Sequence, residues 1–109
     1  MWCLLRQIDS ALANSVSVSA ASGMEVSTKF RLGKLPGAAL LARDFAAIIA
    51  AQDFLELPIS FRHANAAGEM NIAHKDPFDR ILIAQACIED MALVSNEAVF
   101  DGFAVRRLW

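Results

Sequence analysis

The sequence predicts an α/β fold, a mostly parallel sheet with helices on its faces, from three observations. Short apolar strand-like runs alternate with helix-like segments along the chain, the order that builds parallel sheets. Hydrophobic residues make up 56% and charged residues 20% of the 109 positions, which suits elements buried on two sides. There are no internal repeats, low-complexity tracts or linkers, so residues 1–109 read as a single domain.

Each element follows from local pattern. Leu4, Leu5, Ile8, Ala11 and Leu12 fall at helical spacing, so a helix is expected over 3–13, broken by Asn14-Ser15. Val16-Ser17-Val18-Ser19 alternates and reads as a strand. Ser22-Gly23-Met24-Glu25 matches a capping box, starting a helix that runs to about Leu32 and ends at Gly33. Pro36-Gly37 marks a turn, and the alanine-rich residues 38–51 suggest one buried helix. Phe54-Leu55-Glu56-Leu57 is a short strand closed by Pro58, and residues 60–68 form a helix ending at Gly68. A loop follows through Asn71, His74 and Lys75.

Asp76-Pro77-Phe78-Asp79 is the clearest helix start in the chain. Aspartate is a favoured N-cap, proline a favoured first helical residue, and a second acid complements the helix dipole. This helix continues to Glu89. Residues 92–95 form a buried strand, Asn96-Glu97 begin a loop or turn with Phe100 packing back, and 104–108 form a last edge strand.

Charge and composition limit the function classes. The net charge of −2 argues against binding nucleic acid through bulk electrostatics, leaving local basic groups or bound metal ions. Cys3 and Cys87 lack metal-site spacing; Cys87 reads as a small core residue, and a reducing cytoplasm is the default. The opening residues lack a signal-peptide core, and the uncharged stretch from Ser10 to Met24 is too short to span a bilayer.

Three acids follow or face strand ends, where functional residues gather in α/β sheets. They are Glu25, Asp79 and Glu97. Converging at one edge, they would concentrate negative charge that a hard divalent cation such as Mg²⁺ or Mn²⁺ would stabilise. Spacing alone also allows a plainer reading: Glu25 completes a capping box, Asp79 complements a helix dipole, and Glu97 is a solvated surface acid. Isolated His63 and His74 read as structural or surface residues.

Longer motifs carry a family resemblance. Asp76 to Ala86, DPFDRILIAQA, resembles the "RDPFDRLLIAQA" stretch of PIN domains of the VapC toxin type. Ala92-Leu93-Val94-Ser95-Asn96-Glu97 is similar to the family's "LTLVTRD". Val18 to Lys29 resembles "VSAASAWEIAIK", and Arg31 to Pro36 matches its continuation. Leu57-Pro58-Ile59 and the closing Val105 to Trp109 also fit. The resemblance implies a PIN-like three-layer fold and a metal-dependent endoribonuclease toxin of a toxin–antitoxin pair. A Mg²⁺ or Mn²⁺ cofactor, an RNA substrate, a VapB-like antitoxin and a homodimer come with it.

Carried over by position, Glu25, Asp79 and Glu97 become metal-site and catalytic acids. Glu97 stands where the family usually has aspartate. Ser95 matches a hydroxyl at the strand end, and Lys29 and Arg80 are RNA-contact candidates, with Arg31, Lys34 and Lys75 as further basic groups for the RNA backbone. Asp101 is a weaker candidate, Asp76 reads as an N-cap, and Met24 replaces a usual tryptophan.

One departure stands out. Family members begin with a central strand carrying "LLDTH", whose aspartate is a metal ligand. Nothing like it precedes Ser15, and residues 3–15 match instead the helical region before the second family strand. The first central strand is therefore expected to be missing, through truncation, a misplaced start codon or gene decay, with the sheet re-pairing or a dimer compensating. Two rival readings stand beside the nuclease: a non-catalytic PIN remnant that binds an antitoxin or dimerises, and a generic flavodoxin-like domain. The latter lacks a glycine-rich phosphate loop.

Overall fold

The computed structural model describes residues 4–7, 16–34, 37, 39–71, 73, 76–94 and 107–108. Cys3, His74, Lys75, Ser95, Asn96, Glu97, Phe100 and Asp101 lie outside the described residues. The elements run β1 (Leu4–Gln7), β2 (Val16–Ser19), α1 (Ala20–Arg31), α2 (Ala39–Arg43) and α3 (Phe45–Ala51). Then come β3 (Leu55–Leu57), α4 (Phe61–Glu69), α5 (Pro77–Ile88), β4 (Met91–Val94) and β5 (Arg107–Leu108).

The five strands are ordered β3-β2-β1-β4-β5. β2–β3 and β4–β5 are parallel pairs. Between them lies β1, antiparallel to both neighbours, with Leu4 opposite Val18 on one side and Val94 on the other. The α/β class is as the sequence predicts, but the sheet is mixed rather than mostly parallel. Its centre is not vacant, and residues 4–7 are strand rather than part of a helix over 3–13. The reason is tertiary. The facing edges of β2 and β4 carry donors and acceptors that need partners, and a four-residue run supplies them on both sides. Helical spacing of a few leucines is a weak preference beside that demand.

Alternation along the strands divides the side chains into two faces. Leu5, Leu57 and Leu93 share one face, where α4 and α5 cover them. Leu5 and Leu93 are fully buried with Leu82, Ile83, Ala86 and Met91, and Leu57 and Met70 pack against this cluster. Val18 and Glu56 turn to the opposite face, where they line a cavity with Phe45 and Ile49 of α3. Helices therefore flank the sheet on both sides, which makes three layers.

Helix ends follow local chemistry, with one correction. Ser60 caps α4, its Oγ accepting from the His63 N–H. Asp76 caps α5, its carboxylate accepting from the N–H groups of Phe78 and Asp79. The cap of α1, however, is Ser19, whose Oγ accepts from the Ala21 N–H at 3.1 Å. The helix begins ahead of the Ser22-to-Glu25 motif, so Ser22 is buried inside it and Glu25 is not a capping residue. The single helix expected over 38–51 is two, α2 and α3, meeting at Asp44. Asp53 and Asp90 adopt left-handed φ angles of 60° and 52° and turn the chain from α3 toward β3 and from α5 into β4. Aspartate tolerates that region better than most residues.

A polar lock holds α4 against α5. The Ser60 N–H donates to His63 Nδ1 at 3.0 Å, which leaves Nε2 to carry the proton and donate to Glu89 at 2.7 Å. Gln85, fully buried on α5, donates from Nε2 to the Pro58 carbonyl at 3.3 Å. His63 is thus structural, as the sequence suggested. Cys87 departs from expectation: it lies on the exposed side of α5, not in the core, because the buried face is taken by Leu82, Ile83 and Ala86. Partial burial of its thiol still pushes its pKa above the ordinary value.

Leu5 tests the central placement of β1. Its replacement by alanine is expected to cost about 2–5 kcal/mol, as for a fully buried leucine. Urea unfolding measures this; a loss within about 0.5 kcal/mol, the figure for an exposed site, would show that residue 5 does not sit in the core.

Candidate active site

Strand register defines the edge where the acids collect. Leu4 lies between Val18 and Val94, so β2 and β4 run in the same direction and their carboxyl ends flank the start of β1. α1 leaves the carboxyl end of β2 directly through the Ser19 cap. α5 runs back along β4 and ends just before it, which puts its first turn, with Asp76 and Asp79, at the same edge. α1 and α5 are in contact, so Glu25 and Asp79 approach across that packing.

Glu25 is the electrostatic centre of the described part. It is 9% exposed. Burial raises its carboxyl pKa above the usual range, and the negative charges of Asp76 and Asp79 push the same way. Lys29, one turn along α1 at 3.4 Å, opposes the shift without cancelling it. Carboxylate oxygens of this kind are donors suited to a hard cation. The donor chemistry therefore fits Mg²⁺ or Mn²⁺. The set is incomplete among the described residues, where no three of His, Cys, Asp and Glu are grouped closely enough to hold a metal.

The expected site residues separate into three sets. Glu25 and Asp79 come together at one edge with Lys29. Glu97 and Ser95 lie outside the described residues, beyond the carboxyl end of β4. Arg80 reaches the end of α4: its guanidinium donates to the carbonyls of Ala67 at 2.8 Å, Met70 at 2.7 Å and Gly68 at 3.4 Å. These are carbonyls at the end of α4, which lack intrahelical partners. Asp76 is the N-cap it was read to be, and its charge also reaches Glu25. Sequence reasoning missed Gln85. Its position as an uncharged polar residue within an apolar helical run was the available signal.

The described residues define a layered α/β domain with one buried acid, Glu25, beside a strand end, under the influence of the more exposed Asp76 and Asp79. The sequence model of the PIN domain matches residues 3–105, nearly the whole chain, and the protein belongs to that family. PIN domains are typically nucleases, acting on nucleic acid and generally using divalent metal ions. No curated protein and no solved structure matches the chain. Among the described residues, no helix is long and apolar enough to cross a membrane.

Two outcomes follow from this geometry. Because the folded state favours protonated Glu25, this group's contribution to stability is fully present below the ordinary carboxyl pKa and is lost as pH rises through the raised value. Glu25→Gln should therefore raise the melting temperature of the metal-free chain at pH 7 by a few degrees and leave it nearly unchanged at pH 4. Calorimetry at both pH values checks the difference, and a lower melting temperature at pH 7 would contradict it. Arg80→Ala should lose about 1.5–3 kcal/mol of stability. Arg80→Lys should recover little, since an ammonium cannot reproduce the guanidinium fork; denaturant titration of both variants measures this.

Proposed function

We propose that the chain is a metal-dependent endoribonuclease of the VapC toxin type, hydrolysing RNA phosphodiester bonds. The single observation that carries this reading is the juxtaposition of buried Glu25 with Asp79 and Asp76 at the carboxyl edge of a PIN fold. Glu25 and Asp79 would hold the ion, with Glu97 completing the set and Ser95 beside it. A divalent cation in that place supplies a positive charge for the phosphoryl oxygens of RNA.

The protein's own groups have definite tasks in this scheme. Burial of Glu25 keeps bulk water from competing for its oxygens. The N-terminus of α5 holds Asp79 in place through the Asp76 cap and favours its negative charge. Lys29 pairs with Glu25 at 3.4 Å, and with a cation bound it would be available to an RNA phosphate. Arg80 serves this edge by fixing α4 to α5. The resemblance to toxins adds a VapB-like antitoxin that covers the acids, a homodimer and a cytoplasmic setting.

A second reading has a specific observation behind it. The centre of the sheet is held by Leu4-Leu5-Arg6-Gln7, an antiparallel strand without an acid, where the resemblance implies a strand carrying "LLDTH". On that ground the chain is a non-catalytic PIN remnant that binds an antitoxin or dimerises.

Mn²⁺-dependent cleavage of a mixed-sequence RNA separates the two. The nuclease reading expects cleavage by the 109-residue chain, reduced about 100-fold or more in Asp79→Asn. A chain that circular dichroism shows to be folded, yet that leaves the RNA intact, sinks the catalytic reading for this polypeptide and favours the second reading.

A further inference from the structure

We propose that the cavity between α1 and α3 receives one unpaired base of the RNA, with a preference for guanine, and so sets where the strand is cut. This rests on the nuclease reading for its biological meaning, but its chemistry stands on the cavity itself. The space measures about 440 Å³, within the roughly 300–1,000 Å³ of small-molecule pockets. Val18 and Ile49, both almost fully buried, form its floor. Phe45 and Phe54 supply aromatic walls, Met24 stands 66% exposed at the side, and Glu56 is the only charged residue among the described ones that line it.

Those surfaces suit a flat ring with a polar edge. Bases in single-stranded RNA are recognised by packing against aromatic side chains and by hydrogen bonds along their Watson–Crick edge. An ionised carboxylate only accepts hydrogen bonds, through two oxygens side by side. Guanine presents two adjacent donors on that edge, N1–H and the N2 amino group, which match the two oxygens of Glu56. Uracil presents one donor between two carbonyls, which the carboxylate repels. Adenine and cytosine each place an amino donor beside an acceptor and fall between.

Position ties the cavity to the acids. Gly23 and Met24 line it, while Glu25, the next residue of α1, is buried on a helix that also packs against α5. The thickness of one helix, about 10–12 Å, separates base from acids, a span that a short stretch of single strand covers. Glu56 pairs in register with Val18, one residue before the carboxyl ends of β2 and β3, which places the cavity's carboxylate close to the sheet edge that carries the acids.

The test uses the four nucleoside 5′-monophosphates without metal, followed by methyl NMR of the whole chain. GMP is expected to shift the Val18, Met24 and Ile49 methyls and to bind at least about tenfold more tightly than UMP. Glu56→Gln, at an exposed strand position, should remove most of that preference. Ala50→Phe, which fills the cavity from the exposed side of α3, should abolish the shifts without disturbing the fold. No methyl shifts with any nucleotide at millimolar concentration, or equal shifts with all four that Glu56→Gln leaves unchanged, would overturn the proposal. These outcomes are independent of cleavage. GMP binding in a chain that cuts no RNA sinks the nuclease reading and leaves the pocket standing. Cleavage by a chain whose methyls no nucleotide shifts sinks the pocket and leaves the nuclease.

Discussion

The structure depends on the hydrogen bonds of one short strand. β2–β3 and β4–β5 are each a parallel pair, and neither pair touches the other except through β1. A parallel pair of two-to-four-residue strands has little independent stability. β1 satisfies the inner edges of both at once and buries Leu5 against Leu93 and the apolar side of α5. The direction of β1 also matters. Because it runs opposite to its neighbours, it begins where they end, and the acid-bearing edge is assembled around its first residue.

Much of this was legible in the sequence. β2 appears with its expected bounds because alternation over Val16–Ser19 has one solution, and α5 because an aspartate cap, a proline and an acidic first turn all agree. β1 was not legible, since its strand character comes from partners at the far end of the chain rather than from Leu4-Leu5-Arg6-Gln7 itself. The cap of α1 was displaced for a similar reason. Ser19 and Ser22 both have capping chemistry, and the strand register decides which one lies at the junction. The division of residues 38–51 at Asp44 follows from an acid in a run whose alanines give no other punctuation.

The candidate site was legible as a list but not as an environment. Sequence names Glu25 and Asp79 and leaves open whether each merely caps a helix. The fold decides for Glu25: the cap is Ser19, and Glu25 is buried with a raised pKa beside other acids. An unfavourably buried acid that contributes nothing to helix capping is a cost to folding, and such costs mark functional sites. Arg80 shows the reverse. Its place in the DPFDR motif suggested substrate contact, and its Nε and Nη2 also hold the end of α4, so a motif signature here records architecture as well as chemistry.

The antiparallel central strand also shapes the route by which the chain reaches its fold. β1 meets β2 after a short connection, but its other partner, β4, lies near the opposite terminus. During synthesis the N-terminal strand can therefore find one neighbour early and must wait for the other. Until α5 and β4 are made, the open side of β1 is an unpaired strand edge with Leu5 incompletely covered, the kind of surface on which chains associate wrongly. The last third of the chain is thus both the carrier of Asp79 and the protector of the first strand, so an interrupted product would lack its chemistry and expose its core together.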